Sequence, residues 1–287
     1  MVRISVIIPT RDRAGDLARC LEALAECAQD GLLPAWGGKL HEVIVVDDAS
    51  AVAGVHDARL PILALRNERR AGAALSRTVA AARASGDVLA FLDDDAAPRG
   101  DWLAVVARHL RGARVAITGR VLPFDGGLLS RARQARHDAR YAGLEAGTPV
   151  DFFAGGNSAV LAEVFREVNG FTRLTTGGDN SLAEALAARG TPVCFEPDLV
   201  IAHRNGKGLW RACADAWSAG AHHPVRLTPL DAARMVASAG VGAGGAVRTV
   251  NRMLGALHAT GRAVPRGAAG ATGAARRRTW PGPARPR

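Results

Sequence analysis

The chain has 287 residues, 48% hydrophobic and 22% charged, the balance of a soluble globular protein with room for a sizeable core. Its formal charge is +10, but seven arginines and no acid fall from Gly261 onward, so the excess sits mainly in a tail and argues against a nucleic-acid-binding surface. The four cysteines (Cys20, Cys27, Cys194, Cys213) have no C-x-x-C spacing, which excludes a zinc site and a disulfide frame and places the chain in a reducing, cytoplasmic setting.

In chain order, ISVIIP (4–9) reads as a strand, followed by a helix over 12–27 with Leu17, Leu21 and Leu24 on one face. EVIVVD (42–47) and PILALR (61–66) are the next strands, then a helix over 71–84 and the strand VLAFLD (88–93). Strands without polar alternation, separated by helices, predict an α/β fold with a mostly parallel sheet flanked by helices. Such sheets bind ligands beyond the carboxyl ends of their strands, where Pro9, Thr10, Arg11 and Asp12, then Asp47 and Asp48, Arg66 and Asn67, and Asp93 to Asp95 all fall.

The second half is less regular. RVAITGRV (114–121) reads as a strand and 125–145 as a polar segment rich in Arg and Gly. VDFFAGGNSAV (150–160) leads into a helix near 161–168; TTGGDN (175–180) caps a helix over 181–189; 192–206 holds one or two short strands. From Trp210 to about Thr260 the pattern is helical with Gly interruptions, a C-terminal extension to a first domain over 1–209. The remainder, 261–287, is rich in Gly, Ala, Pro and Arg and reads as a disordered basic tail, solvated or in peripheral contact with an anionic membrane. No apolar run is long enough to span a bilayer.

Three adjacent carboxylates directly after a buried strand need a cationic partner. Short carboxylates suit a hard divalent ion, Mg²⁺ or Mn²⁺, whose remaining positions phosphates can fill. Extended geometry would aim Asp93 and Asp95 to one side and Asp94 to the other. Asp47 and Asp48 end their strand either as turn formers or as acceptors for a ribose hydroxyl or base N–H. Asp179 reads as an N-cap worth about 1 kcal/mol or as a general base at a helix start. His203, ending a β-rich run, is either packed or a borderline metal ligand, while His222 and His223 are surface loop without a role. With no G-x-G-x-x-G and no G-K-[ST], phosphates would be held by metal and side chains.

In order and spacing, SVIIPTRDR, VIVVDDAS, NERRAGAALSRTVAAARASGDVLAFLDDD, PRGDWL and GGNSAVLAEVFREVNGF resemble the family 2 glycosyltransferases of the GT-A type, over roughly residues 3 to 210. That resemblance implies a Rossmann-like GT-A fold and an inverting, metal-dependent displacement on a nucleotide-diphosphate sugar, with a UDP-sugar the first choice. Asp93 and Asp95 fall on the family's D-x-D pair, Asp95 on the metal and Asp93 towards the ribose, with Asp94 beside them. Pro9, Arg11, Asp47, Asp48, Asn67 and Arg77 fall on the nucleotide-sugar side, although Thr78 replaces the Asn that usually follows Arg77. His203 matches the distal histidine that completes the metal shell, Asp179 the base, and Gly156 and Asn157 the acceptor side. The family's neighbouring acids are absent: Gly178, Asn180 and Ser181 surround Asp179. The sequence leaves the acceptor open, with 125–145 and the helices after Trp210 expected to shape its pocket. A metal-dependent nucleotidyltransferase and a catalytically idle nucleotide-sugar-binding module are the alternatives.

Overall fold

The structure, a computed structural model, describes residues 1–29, 31–51, 57, 59–111, 115–171, 178–204, 208–221, 223 and 226–263. The tail beyond Ala263, most of the turn before Asp179, and His222 with the loop after His203 lie outside the described residues.

β1 (Val2–Thr10) lies between β2 (Gly38–Asp47) and β4 (Val88–Leu92), parallel to both, and β3 (Ile62–Arg66) extends the sheet parallel to β2. The apolar runs are continuous because both faces are covered. Ile4, Val6 and Ile8 pack with α1 (Ala14–Gln29) and α4 (Trp102–Leu110); Ile7, Ile44, Val46 and Phe91 face the other side. β3 is the exception: it is an edge strand, and its Leu63 is exposed. On α1, Leu17, Cys20, Leu21 and Leu24 share the buried face.

The helix expected from Asp12 starts at Ala14. Asp12 has φ 52°, accepts from Ala51 N at 2.7 Å and donates its own N–H to Ser50 Oγ at 2.9 Å. That left-handed residue ties the turn after β1 to the turn after β2.

α3 (Ala73–Arg83) covers the second face together with α6 (Ala162–Glu167) and α7 (Gly178–Ala188). There Phe91 meets Phe153, Phe165 and Phe171 with ring centroids 5.3 to 5.8 Å apart. β5 (Ala96–Pro98), β6 (Ala116–Pro123), β7 (Pro149–Val150), β8 (Asn157–Leu161) and β9 (Val193–His203) complete the sheet. Its order is β3-β2-β1-β4-β8-β6-β9-β5, with β7 also on β9. The β4–β8, β8–β6, β5–β9 and β7–β9 ladders are antiparallel, so the sheet is mixed, parallel in its first four strands. Within 150–160, Val150 closes β7 and strand resumes at Asn157, and the described residues of 192–206 contain one strand of 11 residues.

The polar segment 125–145 contains a helix, α5 (Leu128–Tyr141). α2 (Leu32–Ala35) is a single turn before β2. At the C-terminus α8 (Leu209–Ala221), α9 (Pro229–Ser238) and α10 (Gly245–Ala263) follow. α10 packs on α8 through two glycines: a Cβ on Gly220 would lie 2.1 Å from His258 O, and one on Gly261 2.3 Å from Trp217 O. α10 therefore runs to Ala263, past the boundary expected at Gly261. Among the described residues no helix is long and apolar enough to cross a membrane, and no disulfide joins the cysteines.

α5 also carries His137, stacked on Tyr141 with centroids 6.2 Å apart. Burial, together with Arg133, Arg140, His203 and Arg136, pushes its imidazole down to about 3. An unfolded histidine titrates near about 6.5. Between those values the unfolded chain binds the proton and the folded chain does not, so this group's contribution is full above pH ~6.5 and is lost as pH falls towards 3. His137→Gln is expected to flatten the loss of stability between pH 7 and pH 4.5, measured by urea midpoints; an unchanged slope would remove His137 as its source.

Candidate active site

β4 ends at Leu92, and the chain turns through Asp93, Asp94 and Asp95 into β5. β5 then pairs with β9 in a register that sets Ala96 opposite His203, which carries this distant histidine to the acids. Each carboxylate has its own partners. Asp94 is buried, accepting from Thr10 Oγ1 at 2.8 Å and from Arg13 NH1 at 2.9 Å. Asp95 faces the same Arg13 NH1 at 2.9 Å and His203 Nε2 at 2.9 Å. Asp93 takes Arg77 NH2 at 2.5 Å, and Arg77 NH1 lies 3.4 Å from Asp179 Oδ1.

The electrostatics separate the acids. Burial raises the Asp94 carboxyl despite the pull of Arg13. For Asp95 burial acts upward too, but His203, Arg13 and Arg133 outweigh it and hold the group below the usual carboxylate range. Burial raises Asp179, with Arg77 opposing and Asp93 reinforcing. One ligand atom each from Asp93, Asp95 and His203 lie within 4.8 Å of one another. Two carboxylates and an imidazole suit Mn²⁺ or Mg²⁺, the nitrogen favouring Mn²⁺.

The loop before β8 closes over this cluster. A Cβ on Gly156 would sit 2.1 Å from Asp93 Oδ2, and one on Gly155 2.6 Å from both Asp179 oxygens and 2.7 Å from Arg77 NH1. Gly156→Ala is expected to displace Asp93 and lower kcat at least tenfold with the fold intact by circular dichroism; parent activity would show that the loop yields freely.

A cleft of about 740 Å³ opens here, lined among others by Pro9, Thr10, Arg11, Asp12, Arg13, Asp48, Arg70, Gly72, all three acids, Arg133, His203 and Arg211. Of the residues expected on the nucleotide side, Pro9, Arg11 and Asp48 line it; Arg11 NH1 is buried without a hydrogen-bond partner among the described residues. Asp48 is fixed by Asn67 Nδ2, Ala71 N and Gly72 N at 2.7 to 2.9 Å, so Asn67 bears on the cleft through Asp48. Asp47 is used internally, accepting from Ser50 N at 2.8 Å and pairing with Arg66, and does not line the cleft. Arg13, Arg70, Arg133 and Arg211 are additions. Arg13 is the second arginine of the turn after β1 and Arg70 lies in the NERRAG stretch; Arg133 and Arg211 come from two distant helices and carry no motif.

Asn157 is not brought to the cleft. It is wholly buried: its Oδ1 accepts from Trp102 Nε1 at 2.8 Å, and its Nδ2 donates to Arg120 O and Leu199 O at 2.8 and 2.9 Å. The expected acceptor-side amide is thus spent joining α4, β6 and β9. Asn157→Leu should destabilise the fold by about 3 kcal/mol, since two buried groups, Trp102 Nε1 and Leu199 O, and the part-buried Arg120 O lose their partner; a urea midpoint equal to the parent's would contradict that role.

Residues 5–168 match the sequence model of the family described as Glycosyl transferase family 2. The pre-mycofactocin glycosyltransferase of Mycobacterium tuberculosis is 28% identical over 249 residues, 79% of this chain and 49% of that protein. Glycosyltransferase AglE of Haloferax volcanii is 25% identical over 213 residues, 70% of this chain and 66% of that protein. The chain therefore spans about half to two thirds of the length of these relatives. Among solved structures, the mannosyltransferase PcManGT from Pyrobaculum calidifontis, in complex with GDP-Man and Mn²⁺, superposes with TM-score 0.55 at 21% identity, over 91% of this chain and 73% of that one. TarS of S. aureus with UDP-GlcNAc gives 0.51 at 15% identity, over 78% and 68%. At these identities the likeness is one of fold, a mixed α/β sheet flanked by helices.

Proposed function

The chain belongs to glycosyl transferase family 2, and from that premise we propose that it moves a sugar from a nucleotide-diphosphate sugar to an acceptor hydroxyl by a single, inverting displacement. The observation that carries this reading is the cluster at the cleft: Asp93, Asp95 and His203 converge within 4.8 Å, and Arg77 ties Asp93 to Asp179. Asp95 with Asp93 and His203 would hold Mn²⁺ or Mg²⁺, which when bound neutralises charge on the leaving diphosphate.

The chain's own groups do the rest. Arg11, Arg13, Arg70, Arg133 and Arg211 line the cleft and present cations to the diphosphate. Asp48, held by Asn67 and two backbone N–H groups, offers its carboxylate to the ribose or base. Asp179 takes the proton of the acceptor hydroxyl as that oxygen attacks the anomeric carbon. Burial makes it a stronger base than a surface carboxylate, and Arg77 orients it.

The test is product analysis with a panel of UDP- and GDP-sugars in the presence of Mn²⁺ or Mg²⁺. Release of nucleoside diphosphate is expected, with UDP-sugars tried first. Pyrophosphate would indicate nucleotidyl transfer, and binding without turnover a catalytically idle module; either contradicts the proposal.

A further inference from the structure

Beside the catalytic cleft lies a second cavity of about 570 Å³, lined by residues of α5, α8, α9 and α10. α10 turns Asn251, Leu254, Gly255 and His258 towards it, spaced as one helix face. Asn251 is 2% exposed, yet neither Nδ2 nor Oδ1 has a hydrogen-bond partner among the described residues. A buried amide left in that state is costly and calls for an outside donor and acceptor. α8 lines it with Ala212, Ala216 and Ala219 beside Asp215, Met235 and Leu254 add apolar surface, and Arg133 and Arg136 of α5 bring positive charge. Arg136 stands one helical turn from both Arg133 and Arg140 on α5, so three like charges share one edge of the helix and an anion would relieve them. The cavity's acid, Asp215, is engaged by Arg211 Nε at 3.1 Å.

The two spaces share a wall. Arg133 lines both, while the Arg211–Asp215 pair spans them, Arg211 lining the cleft and Asp215 the second cavity.

Resting on the glycosyl-transfer reading above, we propose that this cavity holds the acceptor, an amphipathic acid bearing an amide. Its apolar body lies against Ala216, Met235 and Leu254, its amide meets Asn251, and its carboxylate meets Arg136. The hydroxyl-bearing end points past Arg133 to the cleft. This assigns acceptor recognition to the C-terminal helices.

Calorimetric titration of the full chain with N-acetyl-L-phenylalanine tests it, beside 3-phenylpropionate, which lacks the amide, and N-acetyl-L-phenylalaninamide, which lacks the acid. The first is expected to bind about tenfold tighter than either analogue. Asn251→Leu should erase the preference over 3-phenylpropionate and raise Tm by a few degrees, because two unpaired polar atoms leave the core; a packing role alone predicts a lower Tm. Arg136→Gln should erase the preference over the neutral amide. Ala216→Phe, which fills the cavity with a ring, should abolish binding of all three probes. Equal affinities in the parent, no binding, or preferences that survive these substitutions would overturn the assignment. Failure of the transfer reading shows separately, as absence of nucleoside diphosphate release by the parent protein from donor and Mn²⁺.

Discussion

Asp179→Asn is expected to lower turnover of a nucleotide-sugar by 10²- to 10⁴-fold, the range of a lost general base, while nucleoside diphosphate affinity stays within about threefold. The substitution keeps the size of the side chain and removes its capacity to take a proton. Arg77 retains Asp93 at 2.5 Å, so the arrangement on the metal side persists. The split between the two readouts is the informative part. A fall in nucleotide affinity equal to the fall in rate would make Asp179 an element of site architecture, and an unchanged rate would remove it from the chemistry.

Asp95→Asn should act on the other side of the reaction. Asp95 lies between Arg13 and His203, both at 2.9 Å, and has the carboxyl held below its usual range. Losing its charge is expected to weaken Mn²⁺ binding at least tenfold and to lower metal-dependent turnover by about 10³-fold, the scale of a lost electrostatic stabiliser. Asp94→Asn should do less, since Asp94 is used by Thr10 and Arg13. Titration of Mn²⁺ followed by calorimetry compares the two; equal losses would show that the acids act as one undivided charge.

The parallel half of the fold was legible because β1, β2 and β4 bury both faces and leave unbroken apolar runs. The convergence of Asp93, Asp95 and His203 was anticipated only through the family resemblance. What places His203 is a three-residue strand, β5, too short to carry a pattern. α5 was missed because its buried positions include only Ser130 and Ala132, leaving no apolar periodicity to read. Two of the cleft's cations, Arg133 and Arg211, are brought there by tertiary placement alone. The sequence also left Asp47 and Asp48 equivalent. Their difference lies in partners on other segments: Arg66 and Ser50 engage Asp47, whereas Asn67, Ala71 and Gly72 hold Asp48 at the cleft. Asn157 stays out of the cleft although its neighbours Gly155 and Gly156 meet the acid cluster, because the next side chain points into the core.

The central claim, inverting transfer from a nucleotide-sugar, can be tested without knowing the acceptor, because water can stand in for it. Proton NMR of an α-linked donor incubated with the protein and a divalent ion should show the β anomer of the free sugar first, together with nucleoside diphosphate, before mutarotation mixes the anomers. Initial appearance of the α anomer would contradict the single displacement from Asp179.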